Sequence, residues 1–125
     1  MEPLRQVRLT ANFRRTLDSI DLFLREAGTA DTFVPLLRDL FDTVIPTLGR
    51  FPEMGRDFFA RPAGSVEVAH GLEGLRNLGA SLRLREYILP PYLLLYATDE
   101  EAVYLLAIRH HRQLSFDFVG LWGDV

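Results

Sequence analysis

Two unbroken apolar runs near the C-terminus, 92–97 and 103–108, constrain the fold more than any other feature of the sequence. The polar segment Thr98-Asp99-Glu100-Glu101 separates them. Apolar runs of this length, without alternation, are typical of strands that are covered on both faces. We therefore predict that strands 92–97 and 103–109 pair as a hairpin in the centre of a sheet. Both runs are far shorter than the ~18 residues needed to cross a bilayer, which argues against membrane insertion.

Two further segments alternate between apolar and polar residues, the pattern of half-buried strands. The first is 5–10 and the second is 82–88. Pro90-Pro91 follows the second segment and forces a turn before the first apolar run. The sequence thus predicts one strand near the N-terminus and three strands in the C-terminal third.

Between these strands, apolar residues recur at spacings of three and four, the period of an amphipathic helix. The first helix begins near Asn12, a candidate N-cap, and ends at Gly28. Asp31 is a candidate cap for a second helix, whose apolar stripe extends to Leu48. Pro46 is expected to kink or end that helix because it lacks a backbone N–H group. The short connection between the two predicts an antiparallel helical hairpin.

Residues 49–64 are rich in glycine and proline and are predicted to form a loop. Apolar residues recur over 66–78 at a spacing that indicates a short third helix. We therefore expect an α+β fold in which a helical hairpin, plus the short third helix, packs on a small antiparallel sheet. The expected order is β-α-α-(α)-β-β-β. The whole chain, 1–125, is expected to form a single domain with an apolar C-terminal tail at 114–125.

Composition argues against several classes of function. The chain has no cysteine, which excludes a disulfide scaffold and thiolate metal sites. Its 14 basic residues are all arginine and are outnumbered by 17 acidic residues, for a formal net charge of −3. This balance argues against a domain that binds the phosphates of nucleic acid over a broad surface. It does not exclude a local basic patch. The N-terminus lacks the apolar stretch of a signal peptide, so a cytoplasmic location is expected.

Arg83 and Arg85 lie two positions apart on a predicted strand and therefore point to one face. Two adjacent guanidinium groups could bind phosphates, or the carboxylates of a partner, through bidentate hydrogen bonds. The alternative is that they form the solvated face of a half-buried strand.

The segment Arg109-His110-His111-Arg112 is the densest cluster of basic residues and directly follows an apolar run. Histidine can act as an acid or a base near neutral pH, and arginine can hold a phosphate. On an extended backbone, His110 and Arg112 share one side of the strand, and Arg109 and His111 share the other. The two histidines would then diverge, and no third ligand lies nearby in the sequence, so a metal site is not expected. No other cofactor is expected either. The alternative is a polar strand end with a capping role.

Aromatic residues in the strands and the tail are candidates for either packing or binding. Core or interface packing, with the hydroxyl hydrogen-bonded, is the expected role of the four strand tyrosines, Tyr87, Tyr92, Tyr96 and Tyr104. The alternative is that some of them present their hydroxyls on the open face of the sheet. The tail after Gln113 is apolar for a chain terminus, and it either folds back over the core or docks a partner. The candidate partner-binding residues are Arg83, Arg85, Tyr96, Phe116, Phe118 and Trp122.

Two phrases of the sequence resemble a known superfamily. They are Arg50-Phe51-Pro52-Glu53-Met54-Gly55-Arg56, after the helical hairpin, and the closing block 103–113, which contains Ala107-Ile108-Arg109-His110-His111-Arg112-Gln113. With the order of elements, they resemble the RelE/ParE superfamily, toxins of bacterial type II toxin–antitoxin systems often called plasmid stabilisation proteins. The resemblance covers residues 5–113 and implies a helical hairpin on a curved antiparallel sheet.

The resemblance implies a small protein that arrests growth when free and is neutralised by a cognate antitoxin. The expected assembly is a homodimer, or a hetero-oligomer with that antitoxin. Two branches share the fold. ParE-like members are not nucleases and poison DNA gyrase. RelE-like members cleave messenger RNA on the ribosome, and the catalytic zone of that branch would match Arg83, Arg85, Arg109, His110 and Arg112.

Departures from the RelE-like pattern favour the ParE-like branch. The chain lacks lysine and is acidic overall, which is unfavourable for docking on ribosomal RNA, and it carries an extra segment at about 57–80. We therefore expect a ParE-like gyrase poison. A RelE-like endoribonuclease is the alternative, and a non-toxic interaction module is a further one. Exposed Arg83 and Arg85 would suit an acidic, partly disordered antitoxin segment that folds on binding.

Overall fold

The structure, a computed structural model, describes residues 4–58 and 82–113. The strands in these ranges are β1 (Gln6–Leu9), β2 (Arg56–Asp57), β3 (Arg83–Leu89), β4 (Tyr92–Thr98) and β5 (Ala102–His110). The helices are α1 (Ala11–Glu26), α2 (Phe33–Asp39) and α3 (Ile45–Arg50), with a 3-10 turn at Ala30–Thr32 and a π-turn at Leu40–Val44. The strands form one sheet in the order β1-β5-β4-β3-β2. The expected third helix over 66–78 and the tail lie outside the described residues.

The three C-terminal strands form as the sequence predicts. β3 pairs antiparallel with β4, and β4 pairs antiparallel with β5. Asp99 shapes the turn between β4 and β5, because its carboxylate accepts the backbone N–H groups of Glu101 and Ala102, each at 2.8 Å. The α+β class and the order of the strands and first two helical segments are confirmed.

The sheet is mixed, where the sequence predicted an antiparallel one. β1 lies at the sheet edge and runs parallel to β5, with Gln6 opposite Ala102. Alternation over 5–10 predicts that a strand forms, but it carries no information on the direction of a neighbour that is distant in sequence. The predicted loop 49–64 also contains a strand, β2, whose two residues pair antiparallel with β3.

Thr10, and not Asn12, is the N-cap of α1. The Thr10 hydroxyl accepts the backbone N–H of Phe13 at 3.1 Å and donates to the carbonyl of Leu105 at 2.8 Å. Asn12 lies inside the first turn, and its side-chain amide donates to the carbonyl of Leu106 at 2.8 Å. Both side chains are buried, so the start of α1 is fastened to β5 by polar contacts.

The C-terminal end of α1 is correctly predicted at Gly28. This residue has a φ angle of 77°, in the left-handed region that favours glycine. The prediction for the start of the second helix is wrong, because Asp31 lies inside the 3-10 turn and Thr32 occupies the N-cap position of α2.

Pro46 does not end the second helical segment. Just before it the backbone widens into the π-turn, in which the N–H of Ile45 reaches the carbonyl of Leu40, and α3 then continues to Arg50. A proline ring clashes with the carbonyl four residues earlier in a regular α-helix, and the wider turn relieves that clash.

Both faces of the central strands are buried, as their continuous apolar sequence predicts. The helices cover one face, where the fully buried side chains include Phe13, Ile20, Leu40, Leu48, Leu94 and Leu105. On the opposite face, a second cluster contains Phe58, Leu84, Leu95, Ala97, Leu106 and Ala107. A polar side chain of β4 or β5 therefore lies either on the face covered by the helices or on the face of the second cluster, according to its direction.

We expect Thr10→Ala to lower the free energy of unfolding by about 1–2 kcal/mol, because the Phe13 N–H and the Leu105 carbonyl lose a buried partner. Urea denaturation followed by circular dichroism measures the change. Ser19→Ala, at an exposed position of the same helix, is the control and should change the free energy by less than about 0.5 kcal/mol. An equal effect of both variants would contradict the capping role of Thr10.

Candidate functional site

The polar end of β5 lies beside a cleft at one end of the sheet. Tyr92, the first residue of β4 after the cis Pro90-Pro91 peptide bond, pairs with His110 at the end of β5. The C-terminal part of α1 and residues of α2 line the other side. We name this space, bounded by α1, α2, the Pro90-Pro91 turn and residues 110–112, the β5 cleft. Its volume is about 470 Å³, within the usual range of small-molecule sites.

A β-bulge decides which side chains of β5 reach this cleft. The pairing of β4 with β5 shifts by one residue at Leu95/Tyr96, which leaves Leu106 as an extra residue in β5. An extra residue inverts the alternation of every side chain that follows it. His110 therefore lies on the helix side of the sheet and lines the β5 cleft, while Arg109 points to the opposite face.

His110 is the most buried polar residue of the β5 cleft, with 8% of its surface exposed. Its ring lies 5.1 Å from the ring of Phe23 and edge-on, at 5.4 Å, to the ring of Tyr92. Its Nδ1 accepts the backbone N–H of Arg112 at 3.1 Å, so the proton of the neutral ring lies on Nε2. Burial, and then the positive charges of His111 and Arg112, lower the pKa of His110 from its ordinary value of 6.5.

The rings of His110 and His111 stack, with centroids 4.5 Å apart and planes inclined by 28°. The expectation that the two side chains diverge is wrong, because β5 ends at His110 and His111 begins a turn. The backbone N–H of His111 donates to the carbonyl of Pro91 at 2.9 Å, and its ring Nδ1 lies 3.2 Å from the same oxygen. Within 4–58 and 82–113, no group of three or more His, Cys, Asp or Glu side chains is placed to hold a metal ion.

The two arginines of the 109–112 cluster lie in different places. Arg112 lines the β5 cleft with His110, and its exposed guanidinium has no hydrogen bond or ion pair with another described residue. Arg109, on the other face, donates from Nη1 to the carbonyl of Gln113 at 2.8 Å and so fastens the turn after β5. The cluster therefore supplies one imidazole and one guanidinium to the cleft, with His111 stacked behind them.

Arg83 and Arg85 lie at the other end of the sheet. Arg85 pairs with Tyr96 of β4, whereas His110 pairs with Tyr92, four residues earlier in that strand. At the usual rise of a strand, the two pairs are about 13 Å apart. The five candidate catalytic residues are thus not brought together at one place.

The two arginines of β3 share one face, as the sequence predicts, but they differ in their contacts. Arg83 is exposed and has no side-chain partner in the described part of the chain. Arg85 is half-buried, and its Nη1 donates to the carbonyl of Gly55 at 2.8 Å and lies 3.4 Å from that of Glu53. Arg83 is therefore available to a partner, while Arg85 already holds the chain segment in front of β3.

Tyr96, expected among the partner-binding residues, is fully buried. Its hydroxyl donates to the carbonyl of Pro52 at 2.9 Å and accepts the N–H of Gly55 at 2.8 Å. A Cβ atom at Gly55 would lie 2.5 Å from this hydroxyl oxygen and 2.8 Å from the carbonyl of Glu86, so the close approach needs glycine. Tyr96 therefore holds the 52–55 segment against the sheet, and burial raises its pKa above 10.0.

Glu86 is a buried carboxylate that the motifs above did not single out. It is 1% exposed, and Arg56 of β2 donates to its Oε1 from Nε at 2.9 Å and from Nη2 at 2.6 Å. The signal was present in the sequence, because alternation in β3 places Glu86 on the same face as Leu84. An acid at a core position needs a cation or several donors beside it.

The remaining candidate residues, Phe116, Phe118 and Trp122, lie outside the described residues. Among the helices that the structure describes, none is both long enough and apolar enough to cross a membrane.

Comparison with known proteins identifies the family of the chain. A family model described as the ParE toxin of the type II toxin–antitoxin system, parDE, matches residues 7–115. The chain belongs to the ParE toxin family. The match spans both the 52–55 segment and the β5 cleft, and it confirms the superfamily and the toxin–antitoxin class expected from the sequence. A search of curated proteins gives no match.

We expect Tyr96→Phe to lower the free energy of unfolding of this ParE-family chain by about 1–3 kcal/mol, because the buried N–H of Gly55 and carbonyl of Pro52 lose their partner. Tyr87→Phe is the matched control. Tyr87 is half-buried in the neighbouring strand, and its hydroxyl makes no hydrogen bond with the described residues. Urea denaturation of both variants measures the difference. A loss as large in Tyr87→Phe would rule out the proposed role of the Tyr96 hydroxyl.

The lowered pKa of His110 predicts a loss of stability in acid. The folded state favours the neutral ring, so the unfolded chain binds more protons between the folded pKa and the ordinary value of 6.5. This contribution to the free energy of unfolding is fully present above the ordinary pKa and is lost as the pH falls through the folded pKa.

His110→Gln should therefore flatten the dependence of stability on pH between about pH 8 and pH 5. Urea denaturation across this range measures it, with Ser19→Ala, at an exposed position of α1 that does not titrate, as the control. A His110→Gln protein with the unchanged acid slope would show that another group is responsible.

Proposed function

We propose that this ParE-family chain arrests growth when free by poisoning DNA gyrase in the cytoplasm, and that it does not cleave RNA. The observation that carries the proposal is the separation of the candidate nuclease residues. Arg83 and Arg85 lie at one end of the sheet, and His110 and Arg112 lie at the other. Arg109 points to the opposite face.

Metal-free cleavage of RNA needs a base at the 2′-hydroxyl and cations around the same phosphate. All of these groups must lie within hydrogen-bond reach of one nucleotide. The guanidinium of Arg85 is directed at the carbonyls of Glu53 and Gly55, about 13 Å along the sheet from the level of His110. This placement supports a function other than phosphodiester cleavage.

The protonation of His110 supports the same conclusion. Its Nδ1 lone pair accepts the N–H of Arg112, and its Nε2 carries the proton of the neutral ring. A ring in this state presents a hydrogen-bond donor to the β5 cleft. It cannot take a proton from a substrate hydroxyl unless it first gives up its contact with Arg112, so it is poorly arranged for a general base.

The overall charge adds a long-range argument. The net charge of −3 and the absence of lysine oppose association with the dense phosphate surface of ribosomal RNA. A protein target such as gyrase does not impose this electrostatic penalty over its whole surface.

Membership of a toxin–antitoxin family implies an antitoxin partner. We propose that an acidic segment of this antitoxin contacts Arg83, which is exposed and has no side-chain partner among the residues described. Association would then weaken as salt is added, because an exposed charge pair is screened. Arg85, which is tied to the 52–55 segment, would contribute less.

The proposed activity is tested with the purified chain in two assays and by induced expression in a sensitive bacterial host. A pre-made messenger RNA is translated in a bacterial extract and then mapped for cuts, and gyrase is assayed for supercoiling and for trapped DNA breaks. We expect growth arrest, trapped breaks, and a message that stays intact. The double variant His110→Gln with Arg112→Ala should remain toxic, because neither side chain has a nuclease role in this proposal.

Two results would overturn the proposal in different directions. Cuts in the message that disappear in the double variant would establish the RelE-like activity. A normal growth rate together with unaffected gyrase and translation would leave a non-toxic interaction module.

A further inference from the structure

The β5 cleft contains a hydrogen-bond donor that the described chain does not use. His110 Nε2, which carries the proton of the neutral ring, has no hydrogen-bond partner within 4–58 and 82–113. The ring is held in place by the N–H of Arg112 at Nδ1, by stacking on His111 and by a tilted contact with the ring of Phe23. Since the ring is fixed and lines the cleft, this donor is presented to any acceptor that enters the cleft.

Arg112 places a positive charge at the same wall of the cleft. Its backbone is fixed by the hydrogen bond to His110 Nδ1, and the next residue closes the turn. Gln113 donates its N–H to the carbonyl of His110 at 2.9 Å and accepts the N–H of His110 through Oε1 at 2.8 Å. The guanidinium itself has no partner among the described residues, so it is available to a ligand.

We propose that the β5 cleft binds the oxyanion group of a small molecule, a phosphate or a carboxylate, between Arg112 and His110. An arginine fork and an imidazole N–H are both donors, and together they match an anionic acceptor with several oxygen atoms. The rest of the lining includes Leu36, Leu89 and Pro91, which would contact an apolar body attached to the oxyanion.

The volume of the cleft and the charge of its lining indicate which kind of oxyanion ligand fits. Its volume of about 470 Å³ lies in the range of sites for small organic molecules, so a bare inorganic ion would leave the apolar part of the lining uncovered. Asp39 also lines the cleft and repels a second negative group. A ligand with one oxyanion group and a compact apolar body therefore fits best.

Binding is tested on the full chain labelled with ¹⁵N, by following the histidine ring resonances in NMR titrations. The probes are phenyl phosphate, benzoate and inorganic phosphate. We expect the His110 Nε2 resonance to shift and saturate with phenyl phosphate, with benzoate, or with both. The better organic probe should bind about tenfold more tightly than inorganic phosphate, because its ring covers apolar surface.

Arg112→Ala should weaken binding by about tenfold or more, since a hydrogen bond to a charged group contributes roughly 1.5–3 kcal/mol. Arg14→Ala is the matched control, because it removes the same charge from an exposed position of α1 that does not line the cleft. Saturating probe should also raise the pKa of His110, because a bound anion stabilises the imidazolium.

The choice between phenyl phosphate and benzoate identifies the oxyanion, and preference for either one supports the site. The proposal fails if no probe shifts the His110 resonance, or if Arg14→Ala weakens binding as much as Arg112→Ala. Inorganic phosphate that binds as tightly as phenyl phosphate would remove the apolar body from the proposal. None of these results depends on toxicity, so this site and the gyrase proposal can fail separately.

Discussion

The bulge in β5 and the polar side chains of α1 depend on each other. The extra residue at Leu106 interrupts the ladder between β4 and β5, and backbone groups around it need other partners. Thr10 donates to the carbonyl of Leu105, and Asn12 donates to the carbonyl of Leu106. The hydroxyl of Thr16 accepts the N–H of Ile108 at 3.1 Å. Three polar side chains at the start of the helix thus stabilise an irregular strand, and the strand in turn positions the helix.

The same bulge decides which basic side chain is buried against the helices. Without the extra residue, alternation would place Arg109 beneath α1 and His110 on the opposite face. Arginine keeps its charge at any accessible pH, and burying that charge without a partner is costly. Histidine can give up its proton, and burial lowers the pKa of His110, which favours the neutral ring. The bulge therefore places His110, the one residue of the pair that can become neutral, in the buried position beneath the helices.

The sequence predicts where the helices and strands lie better than it predicts which face of the sheet each side chain points to. Continuous apolar runs identify β4 and β5 and predict that both faces are buried. Because apolar and polar residues do not alternate in these runs, the sequence gives no sign of the extra residue at Leu106. The directions of Arg109, His110 and His111 depend on that extra residue and on the end of β5. Thr10 and Asn12 are both good capping residues, and only their contacts with β5 decide between them. Glu86 differs, since its position in the alternating strand already indicates a buried acid.

The arginines of the candidate sites divide by what they contact. Arg85 and Arg109 donate to backbone carbonyls and hold the 52–55 segment and the turn after β5. Arg83 and Arg112 have no such contacts in the described chain, and they lie at opposite ends of the sheet. A nuclease site needs several cations at one phosphate, whereas recognition of a carboxylate or of a single oxyanion needs one well-placed guanidinium. The separation of Arg83 from Arg112 therefore agrees with the two separate recognition contacts proposed above, and not with one shared site.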